Sequence, residues 1–436
     1  MEALRTAKLF ILPLDNQRRW YRYHRLFADL LRGRLRRKSS SQQIAALRRR
    51  ASEWLERERL LASYRGQPVD RVPIRVWGAD PWMKVWHPSY EPILEASVKY
   101  TDLCAGWGVH MNHFLSDLPD LPTRTVQRPS RHEGFVEEVL TYETPRGPLT
   151  QVEAVSTEYK PGRTLEFFIK DEEDALRWLS VPYVQPRPDV SRFFELDREL
   201  GERGLMTAYI GEPMYHVYSM MGSELMAFWS VDNRDLLRTL ITTAQQRMTN
   251  HVQYLLEQGA GPVFGYVGPE LCIPPLMSPR DFHELVVEVD KSFTRMIRDA
   301  GGLLWVHCHG GMGPCLEGFL DMGVNCLNPI EPPPQGDITL AQARARVGDR
   351  LCLEGNIETD DLFRARPERI RGLVRQAIEE ARGGPFILCP TSGFMEWPTC
   401  NPEKVANYLA FIEAGLEYGQ EQRGQTRGSA PTTRSR

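Results

Sequence analysis

Short apolar runs alternate with longer amphipathic stretches along this chain, most regularly after Gly204. The runs at 205–210, 262–267, 303–308, 325–330, 351–354 and 385–389 have strand length and stop at turn-forming or polar residues. Between them, 214–229, 233–258, 278–300, 315–322 and 366–381 carry apolar residues at helical spacing, and a last helix runs from Asn401-Pro402-Glu403 to about Gly419. Start signals support these helices. Ser278 offers its oxygen to free amides ahead of Pro279, and Thr339 with Gln342 forms a capping-box pattern. Upstream, 72–77 and 109–115 read as two further strands, and 90–100, 171–179 and 192–203 as helices. Eight strands mostly followed by helices predict an α/β fold, a (β/α)8 TIM-type barrel. Residues 141–156 depart from this rhythm. Around Thr144-Pro145-Arg146-Gly147 they read as an antiparallel hairpin inserted near the barrel mouth.

Charge divides the chain differently. Net charge is −3, yet residues 1–60 hold 16 Lys and Arg against 6 Asp and Glu. Leu26, Phe27, Leu30, Leu31 and Leu35 form an apolar stripe on a basic helix, and a second helix is expected over 42–63. The stretch LFILPLDNQRRWYRYHRLFADLLRGRL resembles a short region of the LuxR-type ATP-dependent transcriptional regulators. Residues 1–45 are therefore expected to be a basic, regulator-like helical extension, a fragment joined to a barrel over 46–419, or else an interaction arm. Residues 420–436, polar and rich in Gly, Ser and Thr, are expected to be disordered. No apolar run has the length of a membrane span, there is no secretory-signal pattern, and the eight cysteines include no C-x-x-C pair. These features predict a cytoplasmic protein without disulfides, with neither membrane nor nucleic acid as partner.

Candidate chemistry collects at strand ends. In a strand, His307 and His309 point to one face and Cys308 to the other, so two imidazoles could hold one metal ion or one anionic group. Glu331 ends the next strand and could act as base or ligand. By the same logic Tyr266, Glu270 and Asn356 are expected around the mouth. Cys104, Cys272, Cys315, Cys326 and Cys352 sit in apolar runs and read as buried thiols.

Several segments within 46–419 resemble the uroporphyrinogen decarboxylase superfamily. They are Tyr64-Arg65-Gly66-Gln67-Pro68-Val69-Asp70-Arg71-Val72-Pro73, Glu270 with Ser278-Pro279-Arg280-Asp281-Phe282, His307-Cys308-His309-Gly310, Gly355-Asn356-Ile357-Glu358, and Pro390-Thr391-Ser392-Gly393 at the last strand. The resemblance implies an enzyme with one of two chemistries. True decarboxylases grip a tetrapyrrole's carboxylates with N-terminal arginines, and the corresponding residues 76–83 contain none. Corrinoid-dependent methyltransferases bind zinc through His-x-Cys and a distant Cys. Here His307 matches the His, His309 replaces the first Cys and Ser392 the second. Since zinc also accepts His and Glu, a zinc site of His307, His309 and Glu331 or Cys389 is an expectation from this resemblance. The reading is a methyltransferase acting on a small molecule with a corrinoid partner protein. Catalysis is assigned to His307, His309 and Glu331, and substrate binding to Tyr266, Glu270, Asn356 and Ser392. The alternatives are a decarboxylase of porphyrin biosynthesis, with His307 or His309 as proton donor, and a non-enzymatic ligand-sensing barrel.

Overall fold

Two short strands, β1 (Ile11–Pro13) and β2 (Tyr21–Tyr23), pair antiparallel within the unit Met1–Leu55, and a second unit spans Glu56–Arg436. The computed structural model describes residues 11–13, 21–23, 56–118, 120–158, 161–396 and 399–420. The expected basic helix around 26–35, the start of the helix at 42–63 and the polar tail lie outside the described residues.

In the second unit β3 (Leu103–Gly108) begins a parallel sheet, and an antiparallel sheet then intervenes: β4 (Thr123–Pro129), β5 (Phe135–Thr144), β6 (Gly147–Ser156) and β7 (Arg163–Glu166). The expected hairpin turn falls between β5 and β6, within a larger insert than the sequence indicates. The parallel sheet resumes with β8 (Gly204–Tyr209), β9 (Val263–Val267), β10 (Leu303–His307), β11 (Cys326–Asn328), β12 (Cys352–Ile357) and β13 (Phe386–Pro390). Its order is β13-β12-β11-β10-β9-β8-β3. The segment around Ile74 fills the gap between its two edges. The amide of Arg75 donates to Leu388 (2.8 Å) and that of Leu388 to Pro73 (2.9 Å), while the amide of Asp102 donates to Ile74 (2.7 Å). This makes the eighth stave of a TIM-type barrel.

The expected strand at 109–115 is absent; the strand there is β3, six residues earlier. Gly106 lies against the Tyr209 ring of β8, where a Cβ would stand 2.3 Å from it, and Gly108 packs close to the same residue.

Alternation along each strand builds two cores. Leu205, Val263, Leu303, Trp305, Cys326, Cys352 and Ile387 pack together with Leu60, Leu61 and Tyr64 from the helix over 56–64. These strand residues fill the barrel interior, and the helix covers its amino-terminal end. Alternate residues, among them Phe264, Tyr266, Leu304, Val306, Leu327, Leu353 and Leu388, pack with the surrounding helices. Gly265 shows how tight the interior is: a Cβ there would stand 2.8 Å from Thr207 and 3.0 Å from Trp305. The capping boxes form at Ser278 with Asp281 and at Thr339 with Gln342. All eight cysteines are free and buried. No described helix is long and apolar enough to cross a membrane.

Candidate active site

The interior becomes polar towards the carboxyl ends of the strands. Glu354 of β12 is fully buried and accepts from Arg75 (2.8 Å), from the Trp305 indole (2.7 Å) and from the Cys326 thiol (3.4 Å). Arg75 also lies over the Trp305 ring, 5.0 Å from its centroid. An ion pair this deep persists because nearly every lone pair of the carboxylate finds a donor.

His307 is the next inward residue of β10. Its ring lies 4.1 Å from that of Trp77 and 5.9 Å from that of Trp305, and Nδ1 is 2.6 Å from Asn328 Oδ1. An amide oxygen only accepts, so Nδ1 carries the proton and Nε2 keeps its lone pair. Burial, then the neighbouring His309, push the His307 pKa down to about 3, with Arg75 adding to the shift against the hydrogen bond to Asn328. His307 is a neutral base-form imidazole at any ordinary pH.

His309 stands just beyond β10, its ring centroid 4.5 Å from that of His307 and its plane perpendicular to it. Nδ1 is 2.8 Å from Glu331 Oε1, and the amide of Gly310 donates to Glu331 Oε2 (2.9 Å). Burial opposes charge on His309. The hydrogen bond to Glu331 and the charges of Glu331, Glu270 and Glu358 outweigh it and raise the pKa. The pKa values of the two imidazoles are therefore driven in opposite directions. His309 is 37% exposed while Glu331 is nearly buried, so a ligand entering the mouth meets the imidazole first.

Two more carboxyls complete the mouth. Glu270 lies in the turn after β9, and its Oε2, shielded from solvent, accepts no hydrogen bond. Burial raises its pKa. Glu358 follows β12 and accepts from the Thr391 hydroxyl (3.2 Å), leaving a buried Oε1 without a partner. Burial and then the Glu331 charge push Glu358 up to about 7, against the hydrogen bond from Thr391 and the charge of His309. A carboxyl poised near neutrality can give or take a proton at little cost. Behind the mouth, Glu212 is fully buried and accepts from the amides of Met214 and Tyr215; burial raises it to about 8.

His307, His309, Glu331 and Glu270 thus come together, as their strand-end positions predict. Asn356 lies beside Glu358 on a cleft of about 420 Å³, and Ser392 is half-buried just after β13, where its neighbour Thr391 makes the contact to Glu358. Two placements differ from expectation. Tyr266 faces outward, fully buried, with its hydroxyl donating to Asp290 (3.1 Å) and its ring on Phe293. Cys389 is buried beside Glu354 and Arg75, below the mouth, and burial pushes its thiol up. Among the described residues no three His, Cys, Asp or Glu side chains stand where one metal ion could join them. One nitrogen of each imidazole is engaged by a neighbouring side chain, Asn328 for His307 and Glu331 for His309, and Cys389, the cysteine of the expected zinc set, lies beside Glu354 and Arg75. Sequence reasoning missed Glu358, Trp77, Asn328 and Glu212. Glu358 alone carried a signal, its place directly after a strand end.

A family profile described as Uroporphyrinogen decarboxylase (URO-D) matches residues 192–414. The chain belongs to this family. A second profile, the MalT winged helix domain, matches residues 1–43, in line with the regulator-like reading of that segment. Among curated proteins, the uroporphyrinogen decarboxylase of Methylococcus capsulatus is 37% identical over 25% of this chain and 28% of its own length. That of Alkalilimnicola ehrlichii is 24% identical over 76% of this chain and 87% of its own. Among solved structures, a methyltransferase from Methanosarcina mazei superposes with a TM-score of 0.54 at 17% identity, covering 83% of this chain and 98% of that one. This likeness shows the barrel fold. Family membership supports an enzyme of this fold.

Proposed function

We propose that this URO-D family barrel transfers a methyl group between a small heteroatom compound and a corrinoid carried by a partner protein. The observation that carries the reading is the charge of the mouth: one imidazole among three carboxyls, Glu270, Glu331 and Glu358. Such a mouth repels a polycarboxylate tetrapyrrole, and Arg75, beneath it, is committed to Glu354. It suits proton bookkeeping at a heteroatom. A heteroatom that loses a methyl group keeps the bonding electron pair and needs a proton; one that gains a methyl group must release one. Glu358 and His309 can supply or remove that proton, Glu331 favours the charged form of His309, and neutral His307 offers Nε2 as a fixed acceptor. No step is assigned to zinc.

The test incubates the protein with reduced cobalamin and a panel of methylated ethers, thioethers and amines, and follows formation of methylcobalamin. Transfer from at least one compound, lost in His309→Ala, is the expected result. No transfer from any class removes the reading. The second reading, decarboxylation, draws on the name of the two curated relatives. Release of carbon dioxide from uroporphyrinogen would establish it, with protonated His309 as the donor.

A further inference from the structure

Asn328 ends β11 directly opposite His307 of β10, so the two side chains share the interior face of the barrel. Asn328 is fully buried, and its side chain makes one hydrogen bond, the 2.6 Å contact from His307 Nδ1 to Oδ1. Its NH2 group is buried as well and finds no partner. As a packing residue this is a poor choice, because an apolar side chain of similar size would fill the space without stranding a donor. What the amide does to the imidazole explains it better. The backbone fixes the spacing of the pair, since the amide of Cys308 donates to the Asn328 carbonyl (2.7 Å). Trp77 and Trp305 pack against the His307 ring. A ring turned over about its Cβ–Cγ bond would set a carbon, in place of Nδ1–H, against Oδ1. The other nitrogen, Nε2, has no protein partner and is not sealed from solvent, so a ligand in the mouth can reach it.

We propose that Asn328 is a positioning residue: it holds the His307 proton on Nδ1 and thereby keeps a bare Nε2 facing the mouth as a hydrogen-bond acceptor for the ligand. Without an acceptor beside Nδ1 the proton would move to Nε2, where water can take its hydrogen bond, and the mouth would present a donor instead. His309 shows the contrast. Its Nδ1 is held by Glu331, a carboxylate, whereas Asn328 offers His307 a neutral oxygen. A neutral partner sets the tautomer without drawing a second proton onto the ring. The consequence for the ligand is a matter of chemical class. A bare nitrogen accepts and cannot donate, so the atom docked on it carries a hydrogen, as a hydroxyl, a thiol or an N–H does and an ether or thioether does not. Within the methyl-transfer reading above, on which this consequence rests, His307 recognises the demethylated form of the heteroatom. The tautomer itself does not rest on that reading.

The test is the nitrogen magnetic-resonance spectrum of the full chain carrying isotope-labelled histidine, with the His307 signals identified by their loss in His307→Gln. Wild type is expected to show a protonated Nδ1 and an unprotonated Nε2 at His307, and Asn328→Leu a protonated Nε2. A proton on Nε2 in wild type, or a tautomer that Asn328→Leu leaves unchanged, overturns the inference. Asn328→Met takes the place of the leucine variant if that one does not fold, and the wild-type spectrum can overturn the inference by itself. The kinetic arm uses whichever compound of the panel transfers its methyl group, with that compound's demethylated product as inhibitor. Asn328→Leu should slow transfer at least about tenfold, the low end of what a partner that orients an imidazole contributes, and weaken product inhibition on the same scale. Equal product inhibition of the two proteins contradicts the docking of the demethylated atom on Nε2. The expected tautomers without methyl transfer from any compound would leave the positioning role standing and remove the methyl-transfer reading. Methyl transfer with the proton on Nε2 in wild type would do the reverse.

Discussion

His307 and His309 lie two residues apart, yet their pKa values are driven in opposite directions because their surroundings differ. Trp77, Trp305 and an amide oxygen surround the first, while carboxylates surround the second. Strand alternation predicted that they share a face, and they do. Alternation did not reveal that Tyr266 points away from the mouth. Tyr266 is in register with Val306 and therefore faces the helices, whereas Val267 is in register with His307. Register, set by pairing between distant segments, chooses the face. Glu212 was illegible for a similar reason: nothing near it in sequence shows that it is buried. Its burial has a measurable consequence. Folded Glu212 keeps its proton to about pH 8, whereas in the unfolded chain it is lost near its ordinary value of 4.5. Between those limits the folded state binds more protons, so this group's contribution to stability falls as pH rises, and levels off above about 8. Urea unfolding at about pH 5 and about pH 8.5 should show a smaller alkaline loss in Glu212→Gln than in wild type. Equal losses would mean that Glu212 does not hold its proton.

At the scale of elements, most strands and helices were legible because each carried its own start or stop signal. Ser278, Thr339 and Asn401 cap helices as expected. β3 was not legible: its glycines serve packing against Tyr209, and the apolar stretch after it misled. The pairing of Arg75 with Glu354 across the barrel was also hidden, since 279 residues separate them. This pair, with Trp305, forms the floor on which His307 rests. Glu354→Ala leaves Arg75 buried without its counter-ion, and should cost about 3–5 kcal/mol in denaturant unfolding. Glu354→Gln, which can still accept from Trp305, should cost less. A loss under about 1 kcal/mol for the alanine variant would show that the pair is not buried as described.

At the scale of the whole molecule, the unit Glu56–Arg436 contains every barrel strand and both hydrophobic cores. A chain starting at Gln42 should therefore melt at the same temperature as the full protein; a substantially lower melting temperature would give the N-terminal segment a structural role. The barrel and the position of its mouth could be read from the sequence, and so could family membership. The reaction could not: the charge around His309 comes from Glu270, Glu331 and Glu358, on three separate loops. The most direct measurement is the rate of methyl transfer to reduced cobalamin against pH, for wild type and Glu358→Gln. If the protonated Glu358 carboxyl serves the departing heteroatom, the wild-type rate falls as pH rises through about 7 and the variant lacks that fall. Identical pH profiles for the two proteins would contradict the assignment of proton transfer to this mouth.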